Sequence, residues 1–235
     1  MKASRIVFMI IIALIVLLFL GWMRLPEMVA NNLSKKMQVE VEIDDLIIRP
    51  SHIDVEKLEI GNVPKYKLPR SFSADHIHVQ APLLSYFDQN VVIDEITISN
   101  IYLGLEFAKK GSKEGNWTII MGNYEKTTAS DSAPKDKKTE KSVLIKKLIL
   151  NNIAIDLAYN KEGTVQHLKP IPRLEFTNVT SEGGIPTDQI TKVIMQQMLQ
   201  SVFSQENLQN MIEGFLQSPQ QGVESIFDSF KGLIP

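Results

Sequence analysis

From Val39 to about Thr180 the chain alternates apolar and polar residues with a period of two. The pattern runs through VEVEIDDLII, HIDVEKLEI, SADHIHV, VVIDEITI, IYLGLEF, VLIKKLIL, IAIDLAY and PRLEFTNV. Such alternation predicts strands of a sheet with one buried face and one wet face. Two flanking regions break the rhythm. Pro26 to Met37 predicts a short helix with Met28, Val29, Leu33 and Met37 on one side. From Pro186 the period becomes helical, with Ile190, Val193, Ile194, Met198, Leu199 and Val202 on one stripe. Two further stripes follow, Leu208 to Leu216 and Val223 to Phe230.

Within the strand region the chain repeats itself. Residues 91–112, VVIDEITISNIYLGLEFAKKGS, align without a gap on residues 143–164, VLIKKLILNNIAIDLAYNKEGT, at an offset of 52. The identities are Val91/Val143, Ile93/Ile145, Asn100/Asn152, Ile101/Ile153, Leu105/Leu157, Lys109/Lys161 and Gly111/Gly163. A match of this kind marks a duplicated supersecondary unit. Weaker echoes stand at Leu58–Val63 and Leu174–Val179.

In both copies the apolar parity flips midway, from Ile96 and Ile98 to Ile101 and Leu103, and from Leu148 and Leu150 to Ile153 and Ile155. A two-residue hairpin loop at Ser99-Asn100 and at Asn151-Asn152 produces such a flip, with Ile98 facing Ile101 and Leu150 facing Ile153. Asparagine tolerates the left-handed backbone such a loop requires. A bulge within one long strand is the alternative. Either way one apolar face collects Ile96, Ile98, Ile101, Leu103, Leu105, Phe107, Leu148, Leu150, Ile153, Ile155 and Leu157. Between the copies, Lys126 to Ser142 has no large apolar residue and predicts a solvated linker.

Ahead of all this, Ile6 to Met23 is an uncharged apolar run, about 27 Å long as a helix and close to bilayer thickness. Its expected reading is a membrane anchor through Ile6, Ile10, Leu14, Leu18 and Trp22, with Lys2 and Arg5 before it and no small-x-small cleavage site after it. A long downstream domain is exported largely regardless of its charges, so the chain after Met23 is expected outside the cytoplasm. The expected organisation is therefore residues 1–24 as tail and anchor, 25–180 as repeated sheet with a linker over 126–142, and 181–235 as C-terminal amphipathic helices.

The net charge of −2 gives no basic field for nucleic acid. With no cysteine there is no disulfide framework, thiolate metal site or cysteine nucleophile. Glycine-rich phosphate loops, dinucleotide fingerprints and nucleophile elbows are absent. His76-x-His78 projects two imidazoles from one face of a strand, but no third ligand stands out in the sequence, so neither a metal nor a cofactor is expected. Asn32-Leu-Ser, Asn116-Trp-Thr and Asn178-Val-Thr are formal glycosylation sequons.

An apolar anchor followed at once by VEVEIDDLIIRP, then SADHIHVQAPLLSYFDQNVVIDEITISNIYLGLEF and a closing GNWTIIM, resembles the AsmA-like family of Gram-negative envelope proteins. The resemblance covers roughly Ile6 to Tyr124, with Val143 to Thr180 as a further repeat. It implies a curled antiparallel β-groove similar to chorein-type lipid-transfer proteins, an inner-membrane single-pass placement with the bulk of the chain in the periplasm, and phospholipid transport or envelope maintenance. Membrane lipids and an envelope protein are the implied partners. The expected fold class is thus α+β: an N-terminal transmembrane helix, a sheet or groove of repeated antiparallel hairpins, and C-terminal amphipathic helices. The alternative function is a non-catalytic scaffold whose apolar sheet face is covered by its own C-terminal helices or by a partner. An enzyme is not expected.

Overall fold

The structure is a computed structural model that describes residues 24–82, 84–85, 88, 90–110, 112, 114–131, 142–161, 163–177, 179, 185–186 and 190–205. The first element is helix α1 (Leu25–Met37), with Pro26 in its first turn, where a missing N–H costs nothing. It ends at Gln38 in the left-handed region, whose N–H bonds Ser34 O. Three strands follow: β1 (Val41–Ile48), β2 (His52–Gly61) and β3 (Arg70–Gln80). The first copy of the repeat forms β4 (Asn90–Ile93) and β5 (Glu95–Phe107), and the second forms β6 (Ser142–Ile145) and β7 (Lys147–Tyr159). Between them runs helix α2 (Asn116–Asp131). After β7 come β8 (Val165–His167), β9 (Ile171–Thr177), β10 (Ile185–Pro186) and helix α3 (Ile190–Gln205).

The main sheet has the order β1-β2-β3-β5-β7-β8, with β9 also on β7; a small second sheet has the order β10-β6-β4. The sheet is mixed rather than antiparallel, which corrects the expected architecture. Each repeat copy is a short strand and a 13-residue strand, not a hairpin. The two copies lie side by side in parallel, β4 on β6 and β5 on β7. Every pairing couples a residue to its own counterpart: Val91 to Val143, Ile98 to Leu150, Ile101 to Ile153, Phe107 to Tyr159. Parallel neighbours need a crossover connection, which α2 and the residues after it provide. Even the residues between the short and long strands meet, Lys146 Nζ lying 2.7 Å from Asp94 Oδ1.

The parity flip has a sheet-wide cause. Asn100 and Asn152 sit in mid-strand at φ 54° and 53°, and Lys57 of β2 does the same at φ 49°. Pairing on either side of these residues keeps one register. Ile43 pairs Leu58 and Asp45 pairs Glu56; Leu58 pairs Ala74 and Glu56 pairs His76. Ala74 pairs Ile101 and His76 pairs Ser99; Ile153 pairs Ile171 and Asn151 pairs Arg173. One residue per strand is skipped, so Asp44, Lys57, Asp75, Asn100, Asn152 and Pro172 form a transverse row, all exposed. Because all six strands change parity in the same row, their apolar side chains stay on one side. Leu46, Val55, Ile77, Ile98, Leu150 and Leu174 make one continuous rank below the row. Ile43, Leu58, Ala74, Ile101, Ile153 and Ile171 make another above it. Asparagine lowers the cost of the left-handed residue, and the pair is joined by a 3.0 Å hydrogen bond from Asn152 Nδ2 to Asn100 Oδ1. The echoes at Leu58–Val63 and Leu174–Val179 run past the ends of β2 and β9 and lie apart from this row.

The segment GNWTIIM, which closes the stretch that resembles the AsmA-like family, forms the start of helix α2. Trp117, Ile120, Met121 and Tyr124 stand at helical spacing, and all four are buried. The helix begins at a polar knot. Asn116 Oδ1 accepts from the backbone N–H of Trp117 and of Glu106, while its Nδ2 donates to Asn62 Oδ1, Ser71 Oγ and Gly104 O. The buried Glu106 carboxylate accepts from the N–H groups of Lys67 and Leu68 and from Asn62 Nδ2. Asn116 is 1% exposed with its amide fully engaged, so the sequon there is not an accessible acceptor in the folded chain. Residues 126–131, expected as linker, belong to α2; 132–141 lie outside the described residues.

No helix among the described residues is long and apolar enough to cross a membrane. The anchor expected through Ile6, Ile10, Leu14, Leu18 and Trp22 lies outside the described residues, as do the stripes after Gln205. On that finding the expected transmembrane helix and inner-membrane, periplasmic placement are corrected: the described residues form an α+β unit of a seven-stranded mixed sheet, a small second sheet and three helices, none of them long and apolar enough to span a bilayer.

Candidate functional site

The two sides of the main sheet offer different chemistry. On the apolar side the structure brings all eleven groove candidates together. Ile101, Leu103, Leu105, Leu148, Leu150, Ile153, Ile155 and Leu157 are 0–2% exposed, and Ile96, Ile98 and Phe107 are 4–5%. They share one core with Met37 of α1, Trp117, Ile120 and Tyr124 of α2, and Val193, Met198, Leu199, Val202 and Phe203 of α3. The Phe107 ring lies 6.3 Å from that of Phe203 and 6.4 Å from that of Tyr159. Polar contacts hold the helices to one another: Lys192 Nζ is 2.9 Å from Glu125 Oε1, and Asn123 Nδ2 donates to Met37 O. Around these eleven residues the face is filled by the chain's own side chains, while Leu46, Val55 and Ile77 on the same side of β1–β3 are half-buried.

The opposite side carries all four histidines, and each meets an aspartate. Asp54 of β2 pairs His78 of β3, and Glu56 pairs His76, so period two places four ionisable side chains on one patch. His78 Nδ1 lies 2.7 Å from Asp54 Oδ1; since a carboxylate only accepts, the imidazole donates. His76 Nε2 is 3.4 Å from Asp54 Oδ1 and 3.5 Å from Glu56 Oε1. His52 Nε2 is 3.3 Å from Asp54 Oδ2. Arg49 Nη1 donates to Asp54 Oδ2 at 2.7 Å and contacts His52 Nε2 at 3.1 Å. A guanidinium has no acceptor, so His52 Nε2 accepts there, leaving the ring proton on Nδ1 to reach Ser51 Oγ at 2.9 Å.

Burial pushes the Asp54 carboxyl up, but the hydrogen bond from His78 and the charges of His78, His52 and His76 outweigh it, and the group sits below its ordinary value of 3.8. Above the transverse row, Asp156 accepts from Tyr102 Oη at 3.2 Å and from His167 Nδ1 at 2.6 Å. The Tyr102 phenol is raised from its ordinary value by burial first and then by the charge and hydrogen bond of Asp156.

His76 and His78 therefore do have carboxylates around them, as an active or metal site would require. Arg49 supplies the cation that Asp54 faces, and among the described residues no group of three or more His, Asp or Glu side chains is arranged to hold a metal ion. A cleft of about 670 Å³ lined by Ser34, Lys35, Glu40 and Asn62 lies at the C-terminal end of α1 and includes none of the histidines. Sequence reasoning found His76-x-His78 but missed Asp54, His52 and Arg49, because only the β2–β3 register brings them together. The available signal was the shared parity of His52, Asp54 and Glu56.

The fold and this patch define a helix-covered α+β sheet unit with a polar outer face. No family model, curated protein or solved structure matches this chain.

Proposed function

We propose that this chain is a non-catalytic structural or scaffolding protein, in which the duplicated strands build a core sealed by the chain's own helices and the polar sheet face is the surface offered to partners. The observation that carries this reading is the burial of all eleven residues of the apolar face, none more than 5% exposed. A lipid-handling role needs that face open to an acyl chain, and α1, α2 and α3 contribute side chains to the same core instead. Sealing that face removes apolar area from water at about 25 cal/mol per Å² without any ligand.

A photoreactive phenylalanine analogue at Phe107 in the full-length protein tests the reading. Cross-links to residues 190–205 of the same chain are expected, given the Phe107–Phe203 contact. Recovery of lipid adducts from cells as the main product would overturn it.

A further inference from the structure

The β1–β2 connection, Arg49-Pro50-Ser51-His52, is closed by Arg49 N–H donating to His52 O at 2.8 Å and tied to the end of β3 by Ala81 N–H donating to Ser51 O at 3.1 Å. Its side chains add a second closure, since Arg49 bridges Asp54 and the acceptor nitrogen of His52. That bridge exists only while His52 is neutral. A protonated imidazole has two N–H donors and no acceptor, so it cannot receive the guanidinium. It instead faces a fixed cation at 3.1 Å while standing 3.3 Å from the same Asp54 oxygen that Arg49 holds.

The surroundings decide which cation leaves. The turn contributes Arg49, β2 contributes Asp54 and Glu56, and β3 contributes His76 and His78. Across the strands, Asp45 of β1 pairs Glu56, and His52 pairs the uncharged Gln80, beyond which stands Glu95 of β5. Acidification thus adds three imidazolium charges to one guanidinium against two nearby carboxylates, Asp54 and Glu56. Arg49 is the most solvent-accessible of the four basic groups, with a side chain 51% exposed against 25% for His52, and gives up least by moving into water.

We propose that the tip of the β1–β2 hairpin is a proton-operated latch, in which protonated His52 takes over Asp54 Oδ2 and releases Arg49, opening the turn at the edge of the sheet. The device does not depend on the scaffold reading. It gives the polar face two states, one with Arg49 held against the sheet and one with it presented to solvent or to a partner's carboxylate.

The readout is the hydrogen-exchange protection factor of the Arg49 amide in the full-length protein, corrected for intrinsic exchange, between pH 8 and pH 5. Protection is expected to fall about tenfold across that interval. In His52→Asn it should vary by less than about twofold. His78→Asn, which leaves the Arg49–His52 contact in place, should retain the fall. A pH-independent Arg49 amide in the wild type, an equal fall in His52→Asn, or loss of the response only in His78→Asn would each overturn the latch.

Discussion

Asn152→Val is the most direct test of the transverse row, because the sign of its effect depends on the backbone there. At an exposed, extended strand position valine is among the best residues, and the change would be neutral or stabilising. Asn152 is instead at φ 53°, where a β-branched L-residue costs about 1–2 kcal/mol. The substitution also removes the exposed hydrogen bond to Asn100, contributing about 0.5–1 kcal/mol. The expected destabilisation is about 2 kcal/mol, a downward shift of about 1 M in the urea midpoint at a typical m-value. Asn152→Gly loses the same hydrogen bond but is free of the steric cost, and should stay within about 1 kcal/mol of wild type. An ordinary strand reverses that order, since glycine in its interior is worse than valine. Equilibrium urea unfolding of both variants decides the matter. A valine variant as stable as the glycine variant, or more so, would refute the left-handed conformation at Asn152.

Three further outcomes are expected. Gly104→Ala places a Cβ into the Arg70 carbonyl oxygen, a backbone atom of the neighbouring strand that cannot turn aside, so thermal unfolding should report a loss of about 2 kcal/mol or more. Leu150→Ala empties a fully buried position on β7 and should cost about 2–5 kcal/mol by urea unfolding, where an open groove position would lose far less. Asp54→Asn should lose stability at neutral pH but not in strong acid. The Asp54 carboxyl is lowered in the folded state, so its contribution is present above the ordinary carboxylate range and disappears as pH falls through the folded value. Wild-type and variant stability curves should therefore converge as pH falls below the ordinary carboxylate range, and curves that stay parallel in strong acid would contradict the sign.

The alternation along the chain determined most of the strands, and the parity of Ile96 and Ile98 against Ile101 and Leu103 determined that the alternation breaks at Ser99-Asn100 while the apolar side chains keep one face, without deciding between a hairpin and one long strand. The stripe Val193, Met198, Leu199, Val202 determined α3, and the eleven residues of the apolar face were all legible as a set. Partner choice was not legible. A hairpin at Ser99-Asn100 sets Ile98 against Ile101, whereas the fold sets Ile98 beside Leu150 and Ile101 beside Ile153, and both place the same residues on one face. Periodicity reports which side of a strand is buried, a local property fixed by backbone geometry. Which strand lies alongside depends on contacts distant in sequence and on the crossover helix that allows a parallel neighbour. The histidine patch follows the same division. The residues on β2 and β3 are readable as two polar rows, but the 54-to-78 register that gathers His52, His76, His78 and Arg49 around one aspartate exists only once the sheet is assembled.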